Sequence, residues 1–175
     1  MCKVLINIAV SFSLIFLITN TTEAQIPQVQ KPGVIFGAYL IYAKPKGDFA
    51  KTYNFGGGGE VFGGVGISKT FIIATTGFSQ FKAASDNHLG ALNYTPFKIG
   101  VRQFILGKIL FINADLGRAT VKNKTFNETR FTRGFGFGAK LLGLQAALYY
   151  DGWKSKNAGG FSNSVNIKLG WGLSL

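Results

Sequence analysis

Cysteine, histidine and acidic residues are all scarce in this sequence. The one cysteine is Cys2, so no disulfide framework and no cysteine metal site can be built further along the chain. The one histidine, His88, is followed by Leu89 and Gly90 and has no His-x-x-x-His partner. A metal centre is therefore not expected, and neither is a base with a positioned nucleophile. Seven Asp and Glu stand against 19 Lys and Arg, giving a formal charge of +12. Charged residues make up only 15%, too few to cover a soluble domain this apolar. Beyond residue 18 there is no long apolar run, which excludes helical membrane spans in the rest of the chain. The strings GGGGEVFGGVG and GFGFG match neither G-x-x-x-x-G-K-[ST] nor G-x-G-x-x-G, and neither precedes a helix. No cofactor is expected.

What the chain does have is glycine and phenylalanine, 24 and 17 residues in all. It opens with Lys3, an apolar run over 4–18, and the small-residue stretch Thr22-Glu23-Ala24. This reads as a secretory signal peptide, residues 1–24, cut before Gln25. A membrane anchor is the alternative, but the run is short for a span and has no positive stop-transfer flank. Without a small-small-Cys sequence ahead of the cut, a lipoprotein is not expected. A short periplasmic segment, 25–33, would follow. Residues 34–175 would form one domain.

From Val34 onward, period two recurs. Strands are predicted over 34–42, 58–68, 70–81, 94–106, 109–119, 131–142, 144–153 and 165–175. In the sixth, Phe131, Phe135, Phe137, Ala139 and Leu141 oppose Thr132, Gly134, Gly136, Gly138 and Lys140. In the last, Val165, Ile167, Leu169, Trp171, Leu173 and Leu175 oppose Asn166, Lys168, Gly170, Gly172 and Ser174. The facing of the third is ambiguous. Tight turns fall at Ser68-Lys69, Gly107-Lys108 and Gly143. The remaining joints, AKPKGDFAKTYN, AASDNHLGALN, TVKNKTFNETR and KSKNAGGFSN, read as long polar loops, and no helical period appears. Asn93, Asn123 and Asn127 open glycosylation sequons, which matter only in a eukaryotic source.

This pattern predicts an all-β fold, an eight-stranded antiparallel up-and-down transmembrane β-barrel. In lipid the sheet must close, because an open edge leaves backbone groups unpaired. A soluble barrel of lipocalin type is the alternative. It would place Lys98, Arg102, Asp115, Lys140, Asp151 and Lys168 in a small core, at a high desolvation cost.

In this pattern the chain resembles the small Gram-negative outer-membrane barrels: the OmpA transmembrane domain, OmpX and the opacity-like group. Lys168, Gly170, Leu173 and Leu175 match the spacing of that family's C-terminal assembly signal, although Leu175 stands where the family usually has Phe or Trp. The signal cut before Gln, and the wealth of Lys, Asn and Phe, are similar to Bacteroidetes members. The resemblance implies an outer-membrane location, a monomer, and insertion by the barrel-assembly machinery reading the last strand. Lipid A deacylases share the barrel size, but their His-x-Ser arrangement is absent, and no enzymatic activity is expected.

Three groups of residues carry the functional expectation. Glu60, Lys98, Arg102, Asp115, Lys140, Asp151 and Lys168 fall on the inward face. They would form either an ion-pair network filling the lumen or a gate on a narrow water path. Lys44, Lys46, Lys51, Lys122, Lys124, Arg130, Lys154 and Lys156 would crown the external loops. They would bind lipopolysaccharide phosphates or an anionic polymer, or form an ordinary solvated rim. Tyr42, Phe55, Phe81, Tyr94, Phe131, Trp153 and Trp171 would form interfacial girdles. The expected role is structural or surface-interactive, with a narrow porin-like channel, a lipid-modifying enzyme or a soluble ligand-binding barrel as alternatives. No nucleic-acid partner is expected.

Overall fold

The computed structural model describes residues 32–84, 88–155 and 160–175. The expected signal peptide and most of the segment after it lie outside the described residues. Eight strands close into a barrel in sequence order: β1 (Pro32–Lys46), β2 (Tyr53–Ile67), β3 (Thr70–Ala83), β4 (Leu92–Phe104), β5 (Leu110–Lys122), β6 (Asn127–Leu141), β7 (Leu144–Lys154) and β8 (Phe161–Ser174). All neighbours are antiparallel, and β8 returns to pair with β1, with Tyr42 opposite Ile167 and Ala38 opposite Trp171. No edge is left open.

The turns at one end are tight. Gly107 and Lys108 both have positive φ, as do Leu142 and Gly143, which is the backbone that joins twisted antiparallel strands in two residues. Gly143, at φ +89°, sits where an L side chain is strained.

The opposite end differs from expectation. Every strand runs further toward this end than predicted, most of all β1, β2, β5, β6 and β8, and all four long loops shrink. The stretch TVKNKTFNETR is mostly ladder: Thr120 pairs with Thr129 and Lys122 with Asn127. Only residues 123–126 turn, and there Asn123 Oδ1 accepts from the backbone N–H groups of Thr125 and Phe126, both at 2.8 Å. This Asx turn closes the hairpin. The first loop narrows around α1 (Phe49–Thr52), a single turn too short to show a helical period. Polar composition marks where an apolar environment stops, not where the ladder stops, because backbone pairing continues in water.

Alternation sets the walls. Phe135, Phe137 and Ile167 point out and are 57%, 58% and 48% exposed, while Lys168 points in and is 1% exposed. Strand β3 is unambiguous here: Phe71, Ile73, Thr75, Ser79 and Phe81 face inward, Ile72 and Phe78 outward. So the lumen is not wholly polar. Near the tight turns it packs Ile35, Phe62, Phe71, Phe104 and Phe111. Near the other mouth it packs Phe49, Tyr53, Phe81, Tyr94 and Trp153. This corrects the girdle assignment. Phe81, Tyr94 and Trp153 are luminal, with Tyr94 stacked on Trp153 at 4.9 Å between centroids. Tyr42, Phe55, Phe131 and Trp171 do face outward.

Candidate functional site

Between the two aromatic plugs lies a polar belt, reached by inward positions of five strands. Lys98 on β4 is fully buried, 3.0 Å from Asp151 Oδ2 on β7. Asp115 Oδ1 on β5 stands 3.2 Å from the same ammonium, as a charge contact without hydrogen-bond alignment. The Tyr149 hydroxyl donates to Asp115 Oδ2 at 2.8 Å. Lys168 on β8 contacts both oxygens of Glu60 on β2, at 2.7 and 2.8 Å, and lies 3.9 Å from the centre of the Tyr149 ring.

Arg102 has a different environment, made of aromatic rings and neutral polar groups. Its guanidinium lies 4.3 Å from the Phe62 ring centre and 4.5 Å from that of Phe111. Its nitrogens donate to Asn113 at 2.9 Å, Gln145 at 3.3 Å and the Tyr39 hydroxyl at 3.4 Å. Lys140 stands apart from the belt, half-buried near the tight-turn end, and donates to Ser174 Oγ at 2.7 Å. Five of the seven inward charges thus meet in the belt, three acids and two bases, while Arg102 lies between rings of the lower aromatic plug. A cavity of about 10 Å³ beside Glu60, Asp151 and Asn166 has room for one water.

The bases assigned to external loops divide differently. Lys44, Lys46, Lys122 and Lys154 lie on strands and point away from the lumen. Lys51 lies in α1, 2.8 Å from Asp48. Arg130 lies on β6 and pairs with Glu128 at the mouth. Lys124 is in the Asx turn, and Lys156 lies outside the described residues. His88 is exposed on the loop after β3.

Lys51 donates to the Asp48 carboxylate and holds it below the usual carboxylate range, while the same contact lifts the Lys51 ammonium. What this pair contributes is therefore present above the ordinary Asp range and lost as pH falls through the lowered value. Replacing Lys51 with Ala should return the Asp48 titration, followed by carboxyl NMR, to its ordinary midpoint. Both groups are exposed, so unfolding should scarcely move.

Three outward bases escape a reading confined to loops: Lys82 on β3, Arg118 on β5 and Arg133 on β6. Leu116 pairs with Arg133, and Arg118 with Phe131, so the two arginines are diagonal neighbours on the outer wall. The Arg133 guanidinium reaches over the outward Gly152 of β7 to lie 3.9 Å from the Phe161 ring centre on β8. Among the described strands, no Asp or Glu faces outward. Glu60, Asp115 and Asp151 are luminal, and Asp48 and Glu128 stand at the mouth. Below the basic tier no outward strand residue is charged and most are apolar, with Thr70, Thr76, Gln80 and Gln103 on β3 and β4 as polar exceptions.

No protein-family profile and no curated protein sequence matches this chain. Solved structures do. One is the outer-membrane protein Ail of Yersinia pestis in a phospholipid nanodisc, with 14% identity and TM-score 0.52, covering 82% of this chain and 99% of Ail. Another is the N-terminal β-barrel domain of OprF of Pseudomonas aeruginosa, with 13% identity and TM-score 0.55, covering 82% and 98%. This chain has the fold of those barrels. At this identity the likeness is one of architecture, so the belt and the outer tier have to be read from this chain's own residues.

Proposed function

We propose that the chain is an integral outer-membrane barrel whose role is structural and surface-interactive rather than catalytic. It contacts the anionic outer leaflet through its outer wall, where lipopolysaccharide carries phosphate. The observation that carries this reading is the distribution of charge on that wall: an apolar band, then Lys44, Lys82, Arg118, Arg133 and Lys154, with no acid between them. A base just beyond an apolar band keeps its stem in hydrocarbon and its head among phosphates. Arginine adds a planar, multidentate donor set suited to phosphate oxygens. Insertion by the barrel-assembly machinery through β8, and a monomeric state, belong to the same proposal.

The test is lipopolysaccharide retention by the purified barrel, followed by native mass spectrometry. Each base near an anionic surface is worth about 1 kcal/mol, so replacing Arg118 and Arg133 together with Gln should weaken retention about thirtyfold at low salt. Equal retention by the double variant would end the proposal. The filled lumen supports a closed wall rather than a channel, and planar bilayers containing the barrel should show no steady conductance steps. Regular steps would revive the porin reading.

A further inference from the structure

At the mouth opposite the tight turns lies a cup that the luminal belt does not use and that shares only Lys154 with the outer wall. Its volume is about 570 Å³, in the range of small-ligand sites. Its floor is the top of the upper aromatic plug, formed by Phe49, Tyr53 and Trp153. Phe126, carried by the Asx turn of the β5–β6 hairpin, forms one exposed side. Among the described residues, the charged side chains lining it are Asp48, Glu128, Arg130 and Lys154, two acids and two bases. Over the described residues the cup is therefore neutral in sum, whereas the charged residues of the outer wall are all bases.

We propose that this cup binds a neutral, hydroxyl-rich ring: one or two saccharide units at the end of a glycan. The two surfaces then select different chemistry, the wall taking phosphate and the cup taking sugar. An aromatic face is electron-rich and attracts the polarised C–H groups on the flat side of a pyranose. A sugar hydroxyl both donates and accepts, so it suits a lip where acceptor and donor stand together. The Glu128–Arg130 pair supplies that arrangement, as does Asp48 beside Lys51. An anionic ligand would gain no net attraction, since the two carboxylates offset the two cations. A purely apolar one would strip water from four charges and return no hydrogen bond.

The experiment uses the full barrel in nanodiscs prepared without sugar-headed detergent, which would itself fill the cup. Lactose, maltotriose and chitotriose are offered, with heparin fragments as the anionic comparison, and binding is read by saturation-transfer NMR. At least one neutral sugar should bind, and its affinity should survive about 0.5 M salt, which screens ion pairing. Arg130→Gln should weaken it about tenfold, the scale of a lost charged hydrogen bond. Phe126→Ala should weaken it by a similar factor, and retained heat-modifiable gel migration shows that both variants are folded. The proposal is overturned if none of the three sugars binds at millimolar concentration, if only the sulfated fragments bind, or if folded Phe126→Ala binds as the parent does. Because Arg118 and Arg133 lie outside the cup, these results are independent of lipopolysaccharide retention.

Discussion

Replacing Lys98 with Met should cost about 3–5 kcal/mol, the range measured when one partner of a buried ion pair is removed. Lys98 is 0% exposed and is the shared cation of Asp115 and Asp151, at 3.2 and 3.0 Å. Methionine fits the same space but leaves two carboxylates in the belt without their counterion. Whole-domain stability is about 5–15 kcal/mol, so this is a large share of it. The measurement is urea unfolding in lipid vesicles, followed by the shift between folded and boiled gel bands. The midpoint should fall sharply. A triple variant carrying Lys98→Met, Asp115→Asn and Asp151→Asn should recover most of the loss, because it removes all three charges together. Unfolding of the single variant at the parent midpoint would show that the belt charges are hydrated rather than paired.

The second large effect is steric. Gly170 on β8 faces the lumen opposite Tyr39 of β1. A Cβ placed there would run into the Ala38 carbonyl oxygen and come within 2.8 Å of the Tyr39 Cα. Both are backbone atoms of the strand across the closing seam, so no side-chain rotation can relieve the clash. Overpacking of a tight interior costs about 1–3 kcal/mol where side chains can yield, and more where they cannot. Gly170→Val should therefore abolish the heat-modifiable band on refolding, while Leu169→Val, which points outward beside it, should leave the band intact. A normally migrating Gly170→Val barrel would mean that β1 and β8 sit further apart than described.

The barrel was legible in the sequence because lipid and lumen impose opposite demands on alternate residues. That makes Phe135, Phe137 and Ile167 readable as outward, and Lys168 as inward, from spacing alone. The upper limits of the strands were not legible. Above the apolar band the outer face turns polar, and Thr120, Lys122, Asn127 and Thr129 look like loop although they pair as ladder. Trp153 and Tyr94 were misread for a related reason. An aromatic residue near a strand end can cap the lumen or face the headgroups, and only its parity within the strand distinguishes the two. The same parity would have exposed Arg118, two residues after outward Leu116, and Arg133, two before outward Phe135. A search for bases confined to polar loops passes over both.

The ion pairs also bear on how the barrel comes together. Glu60 and Lys168 are 108 positions apart in the chain, and Lys98 and Asp151 are 53 apart. Neither contact fits within a hairpin, and the first joins the second strand to the eighth. A sheet part-way through entry would carry bare ammonium and carboxylate groups with hydrocarbon nearby, and it has no comfortable resting point until the final strand arrives. Neutralisation and ring closure are thus one cooperative event, which disfavours half-inserted intermediates and gives assembly an all-or-none character.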